Sequence, residues 1–261
     1  MKWDFLSVAI IVLGAYLYVR LLQAEEKKEV KLNDFQIRAQ KYVKSGQFAK
    51  AEEEILKDLK RNNPSNFAHN YYALGIIYYN QKKHKEALHA LKKAWLADRE
   101  NYDAIFLIGR IYHDMYQDVA NPDFLEKSVY YFERTLEVNP CHIQALFGLG
   151  AVHFDWQNID KAAECYRRIL DAFPENANAT YNFGACCLGR ENYEMAISYY
   201  KKALVLNVDD QQFAEYHIGY CYQCLEDFER AKKWYTFSLE NGCKSAKEKL
   251  NELKARKTAG N

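Results

Sequence analysis

Small residues recur along this chain at a nearly fixed interval, and that interval limits the fold more than any other feature. One set is Ala39, Gly75, Gly109, Gly150, Gly184 and Gly219; a second is Ala51, Ala87, Ser128, Ala162, Ala196 and Ala231. Members of the first set lie 36, 34, 41, 34 and 35 residues apart. The second set follows the first by 12 residues in every unit except the third, where the separation is 19. The third unit is thus a 34-residue unit with seven extra residues in one turn. Self-similarity at a period of roughly 20–50 residues marks a repeat architecture.

Within each unit apolar residues recur at helical spacing in both halves. A first helix of about thirteen residues is expected to turn at a polar pair such as Asn192-Tyr193 or Glu226-Asp227, and a second helix to return antiparallel. Gly or Ala at the crossing lets the two helices approach closely, and large residues such as Tyr78 and Leu91 fill the space beside it. One unit cannot bury its own apolar face, so neighbours must stack. Only 11 Gly and 4 Pro punctuate the chain, too few for a strand-rich fold. Ala246, Leu250 and Leu253 form one apolar stripe in residues 244–257, as in a helix that caps a stack. The extra residues of the third unit fall near residues 117–122 (QDVANP) and predict a longer loop, a place where contacts are often carried.

A period of 34 with an internal offset of 12 resembles the tetratricopeptide repeat (TPR). Unit two reads Tyr71-x-x-Leu74-Gly75-x-x-Tyr78, then Ala87, Leu91 and Ala94. Unit four reads Leu146-x-x-Leu149-Gly150-x-x-His153, then Ala162, Tyr166, Ile169 and Pro174. Units five and six carry Phe183-Gly184-x-x-Cys187 with Tyr200, and Ile218-Gly219-x-x-Tyr222 with Tyr235. Unit one is weaker, with Phe35, Ala39, Tyr42, Ala51 and Ile55. The resemblance implies an all-α, right-handed superhelical solenoid of about six repeats, at 32–65, 66–100, 101–142, 143–176, 177–210 and 211–243. Residues 244–261 would be the capping helix and tail.

In such solenoids the first helices line the concave face, where ligand peptides bind. Projected onto this sequence, the groove residues are Tyr72, Tyr79, Phe106, Arg110, His113, Phe147, Phe154, Tyr181, Tyr216 and Tyr220. They make an aromatic groove with a basic spot in the third unit. Some family members hold the acidic carboxyl terminus of chaperones with a Lys/Asn/Arg clamp. Here the matching positions carry Gln36, Gln40, Phe106 and Arg110, so an apolar or helical peptide is expected instead.

The amino terminus stands apart. Residues 5–19 (FLSVAIIVLGAYLYV) carry no charge, Asp4 and Arg20 bound them, and Leu21 and Leu22 extend the apolar run. Residues 5–22, from Phe5 to Leu22, would span about 27 Å as a helix, close to the bilayer core of about 30 Å. Arg20 can snorkel, and Trp3, Tyr16 and Tyr18 suit an interface. A cleaved signal peptide wants small residues at its cut, and Leu22-Gln23-Ala24 places Leu there. A buried soluble helix would need a matching partner, which nothing downstream offers. The expectation is a single transmembrane anchor over 1–22 and a charged helical stalk over 23–31 (QAEEKKEVK). Arg20, Lys27, Lys28, Lys31 and Arg38 outnumber Lys2 and the terminal amine, which puts the carboxyl-terminal part in the cytosol. Seven scattered Cys, an odd number, also fit a reducing compartment.

A net charge of +1 argues against a protein built to coat nucleic acid. No P-loop, dinucleotide fingerprint, nucleophile elbow or HExxH is present, and the carboxylates read as solvated helix faces. Cys221-x-x-Cys224 would need two more ligands to hold zinc, with Cys186, Cys187 and His217 the nearest candidates; packing explains it better. Asn178-Ala179-Thr180 is a glycosylation sequon by pattern, expected to be unmodified in the cytosol. No cofactor and no small-molecule substrate are expected. The reading is a non-enzymatic, membrane-tethered scaffold that holds a partner protein or peptide. Three alternatives remain: an import-receptor-like protein of an organelle outer membrane, an assembly factor or accessory subunit of a membrane complex, and a secreted or periplasmic protein.

Overall fold

The computed structural model describes residues 33–61 and 63–259, with side chains as far as residue 255. The expected anchor and stalk lie outside them. Among the described residues all regular structure is helical, and no helix is long and apolar enough to cross a membrane. The chain divides into two compact units between Asn63 and Pro64.

The first unit is a helical hairpin, α1 (Asp34–Lys44) and α2 (Phe48–Lys60). Asn33 starts it with a reciprocal cap: its side chain accepts from the Gln36 N–H, and the Gln36 side chain accepts from the Asn33 N–H. Its amide also donates to Asp58 Oδ2 at 2.7 Å, tying the start of α1 to α2. Ala39, Ala51 and Ile55 are buried at the crossing.

The second unit opens with a 3₁₀ turn at Pro64–Asn66 and continues through five hairpins. These are α3 (Phe67–Asn80) with α4 (His84–Ala97), α5 (Tyr102–Val119) with α6 (Pro122–Val138), and α7 (Ile143–Asp155) with α8 (Ile159–Ala172). Then follow α9 (Ala177–Gly189) with α10 (Tyr193–Val205), α11 (Gln211–Cys224) with α12 (Phe228–Glu240), and a last helix, α13 (Ser245–Ala259). Each helix packs chiefly on its neighbours in sequence, as a linear stack requires. Ala246 and Leu253 of α13 are buried in the same cluster as Tyr235 of α12.

The crossing glycines make room for side chains rather than for backbone. Each faces the residue four positions after the small residue of the second helix. A Cβ on Gly150 would lie 2.7 Å from Tyr166 Cζ, and one on Gly219 would lie 2.8 Å from Tyr235 Cδ1. Gly75 faces Leu91, Gly109 faces Phe132 and Gly184 faces Tyr200 in the same way. All five large residues are buried. Where the first unit has Ala39 instead of Gly, the corresponding position holds Ile55, an aliphatic residue rather than a ring.

The hairpin turns share one geometry. The N–H of Lys83, Asn158, Asn192 and Asp227 donates to the carbonyl five residues back, at 2.7–3.0 Å. The preceding residue, Lys82, Gln157, Glu191 or Glu226, takes a left-handed conformation. This is the Schellman closure, which normally favours glycine. Tyr193 begins α10 rather than forming part of the turn; Asn192 is the cap, and its side chain accepts from the Met195 N–H at 3.2 Å.

The third unit departs from the expected loop. α5 runs for 18 residues and α6 for 17, with only Ala120 and Asn121 between them. Nothing in Gln117-Asp118-Val119 breaks a helix, so α5 continues. Pro122 suits the first turn of a helix, where no N–H partner is needed, and Asn121 caps α6 by accepting from the Asp123 N–H at 3.0 Å. The extra residues lengthen both helices instead of forming a loop.

Candidate protein-binding groove

The first helices α3, α5, α7, α9 and α11 carry all ten projected groove residues. Arg110 and Tyr220 are exposed, and the other eight are half-buried. The spacing explains the common face: Tyr72 and Tyr79, Phe106 and His113, and Phe147 and Phe154 are each seven apart, two turns of helix. Four of the rings rest on a buried ring of their own hairpin. Phe106 lies 5.8 Å from Phe132, Phe147 lies 6.1 Å from Tyr166, Tyr181 lies 5.3 Å from Tyr200, and Tyr216 lies 5.4 Å from Tyr235. The supporting rings are those that the crossing glycines admit.

The expected basic spot is largely engaged within the protein. Arg110 sits over the Tyr79 ring at 5.4 Å, and the Tyr79 hydroxyl donates to Asp114 Oδ2 at 2.7 Å. His113 Nε2 lies 2.8 Å from Asp155 Oδ2, and Gln117 Nε2 donates to the same oxygen at 2.6 Å. A carboxylate can only accept, so His113 donates through Nε2. Burial pushes Tyr72, Tyr79 and Tyr181 up to about 12, so their hydroxyls stay protonated as donors.

Two hollows open on this face at the carboxyl-terminal repeats. A cavity of about 380 Å³ lies among α7, α9 and α11. Phe154, Tyr166, Tyr181 and Tyr200 give it aromatic walls, with Asp155, Asn182 and His217 as polar groups. Burial holds His217 below its ordinary range, in a neutral state, and its ring stacks on Tyr200 at 5.4 Å. The Tyr200 hydroxyl is buried without a hydrogen-bond partner. A neighbouring hollow of about 280 Å³ shares Tyr181 and Asn182 and adds Asn178, Val208, Asp209, Asp210 and Phe213.

The hollows thus gather Phe154 and Tyr181 from the projected set. Tyr72, Tyr79, Phe106, Arg110, His113, Phe147, Tyr216 and Tyr220 line neither. Sequence reasoning missed Asp155, Asn182 and His217, each one position after a projected residue, because it took a single ring per turn. It missed Asp209 and Asp210 because they sit in the turn before α11, and only first helices were searched.

Burial raises the thiols of Cys165 to about 11 and of Cys186 and Cys221 to about 12. They are poor nucleophiles and act as small packing residues. Among the described residues no group of three or more His, Cys, Asp or Glu could hold a metal ion.

The tetratricopeptide repeat family model matches residues 38–103 and 153–211, which take in the crossings at Ala39, Gly75 and Gly184. These two stretches carry tetratricopeptide repeats. Photosystem I assembly protein Ycf3 of Acaryochloris marina is 25% identical over 118 residues, covering 45% of this chain and 69% of that protein. Three solved structures share the fold. That of PilF from Pseudomonas aeruginosa covers 85% of this chain and 96% of its own, at a TM-score of 0.68 and 15% identity. MamA from Desulfovibrio magneticus RS-1 covers 67% and 95%, at 0.61 and 21%. YrrB, described as a TPR protein with an unusual peptide-binding site, covers 73% and 93%, at 0.59 and 17%.

Proposed function

We propose that this TPR chain is a membrane-tethered scaffold that holds a segment of a partner protein against the first-helix face of its repeats. One observation carries the reading. Phe106, Phe147, Tyr181 and Tyr216 are half-exposed on successive first helices, and each is held by a buried ring beneath it. Rigid aromatics give a large contact area with few rotors to freeze, which is why they dominate binding hot spots. The peptide-binding site in the description of YrrB supports the same use of the fold. Binding alone is the mechanism, and tethering raises the local concentration of the partner.

Residues 5–22 supply the tether, and the basic residues after them place the repeats in the cytosol. The name of Ycf3 favours one particular form of the scaffold, an assembly factor for a membrane complex. The import-receptor form lacks the clamp at Gln36, Gln40, Phe106 and Arg110. The secreted form would leave seven unpaired cysteines in an oxidising compartment.

The test is crosslinking in native membranes to recover the partner, followed by titration of that partner against the Phe147→Ala/Tyr181→Ala variant. Binding should weaken by roughly 2–4 kcal/mol while the melting temperature moves little. A variant that unfolds would make these rings core residues, and one that binds fully would put the partner elsewhere.

A further inference from the structure

The two hollows around Tyr181 have an unusual chemical balance. Their lining includes three carboxylates, Asp155, Asp209 and Asp210, and no Lys or Arg. Asp155 is bound by His113 and Gln117, Asp209 accepts from Asn178 Nδ2 at 2.8 Å, and Asp210 accepts from Gln212 Nε2 at 3.3 Å. Among the described residues none of the three pairs with a Lys or Arg. The exposed Arg110 sits over Tyr79 and lines neither hollow.

Two further groups of the lining can accept as well. Tyr200 is fully buried, and its hydroxyl oxygen has no partner. The Asn182 amide oxygen can also accept. Aromatic faces surround these acceptors, and such faces attract a cation. A ligand with many donors, a positive charge and a flat shape suits these acceptors and ring faces together. Guanidinium meets that description: it stacks on rings and donates to carboxylates through a rigid fork.

We propose that these hollows bind a basic segment of the partner protein, with an arginine side chain in the larger hollow against Asp155 and a second basic residue beside Asp209 and Asp210. The proposal rests on the groove reading and deepens it by naming the partner's chemistry. It also reverses the polarity of the expected basic spot, since the end of the face that holds the hollows is acidic.

The test selects a phage-displayed library of random short peptides against the full chain. Three variants are used: Asp155→Asn/Asp209→Asn/Asp210→Asn, Tyr181→Ala, and Lys50→Ala as a surface control. Thermal melts by circular dichroism confirm that each is folded. Enrichment of Arg- or Lys-bearing peptides supports the proposal when their affinity falls about tenfold or more in the triple Asn variant and is unchanged in the control. Because Asn keeps the shape of Asp, lost binding with an unchanged melt reports the charge. Free arginine at the same concentration should not compete. Enrichment of acidic or apolar peptides, basic peptides indifferent to the triple variant, or no enrichment would each overturn the proposal. Acidic or apolar peptides that are lost on Tyr181→Ala would leave the groove reading standing and remove only the cationic partner. Peptides indifferent to both variants would remove both.

Discussion

At the scale of single residues, the crossing glycines differ in how much room they leave. At Gly150 even a methyl group would meet the Tyr166 ring at 2.7 Å, so the ring must move. At Gly184 the nearest atoms, on Tyr199 and Tyr200, lie 3.2 Å away. Alanine also gains about 1 kcal/mol of helix propensity over glycine. Gly150→Ala should therefore destabilise by about 1–3 kcal/mol, as overpacking does, while Gly184→Ala should be nearly neutral. Urea unfolding of the two variants gives the comparison, and equal effects would undo the assigned contacts. Two desolvated histidines, His153 buried and His217 half-buried, make a second prediction. Burial lowers His153 and His217 from their ordinary 6.5, and His153 Nδ1 has no partner. A base whose folded pKa is depressed leaves the unfolded chain holding more protons below 6.5. Stability should thus be full above that pH and fall as the medium is acidified through it. The His153→Gln/His217→Gln variant should show a flatter Tm between neutral and mildly acidic pH than the parent; an identical slope would contradict the cause.

At the scale of elements, the hairpin turns are closed by residues that are not ideal for them. Gln157 and Glu191 are exposed and left-handed, with φ of 61° and 58°. That conformation costs an L-residue roughly 1–2 kcal/mol, whereas glycine adopts it freely at an unfolded-state cost of roughly 0.5–1. Gln157→Gly and Glu191→Gly should each stabilise by about 0.5 kcal/mol, read from denaturation midpoints at constant slope. The same change in mid-helix, for example Lys201→Gly in α10, should destabilise by about 1 kcal/mol. The first unit already has Gly46 at this place, with φ of 72°. The lengthened hairpin of α5 and α6 belongs to this scale too: a proline that reads as a loop marker between helices is also the residue best suited to start the next one.

At the scale of the whole molecule, the second unit is a helical repeat stack, and the proposed tether rests on residues 5–22. Alkaline carbonate extraction should leave the full-length chain with the membrane, and removal of the first 24 residues should release a folded, strongly helical protein. Protease added to the cytosolic side of sealed membranes should digest the repeats. A native protein that begins after Ala24 would refute the anchor, and full protection of the repeats would reverse its orientation. The repeats bury three separate apolar clusters along the second unit. Stability in such a stack is close to a sum of local terms, so a lesion at Gly150 should act mainly on α7, α8 and their neighbours.

The sequence alone determined the repeat and its helical period, because a 34-residue interval of small residues with apolar residues at helical spacing fits little else. Tertiary structure decided what the half-exposed rings of the first helices do together. Only the paired helices of each hairpin showed that glycine at a crossing is matched by a large residue four positions after the small residue of the second helix, because the two lie 16 to 23 residues apart in the chain. Only stacking brought Asp155 of α7, Tyr181 and Asn182 of α9 and His217 of α11 around one hollow, with the Asp209-Asp210 turn beside it. Charge in a groove is a sum over several repeats, and a reading that follows one repeat at a time sees Arg110 and not the three carboxylates one and two repeats further along.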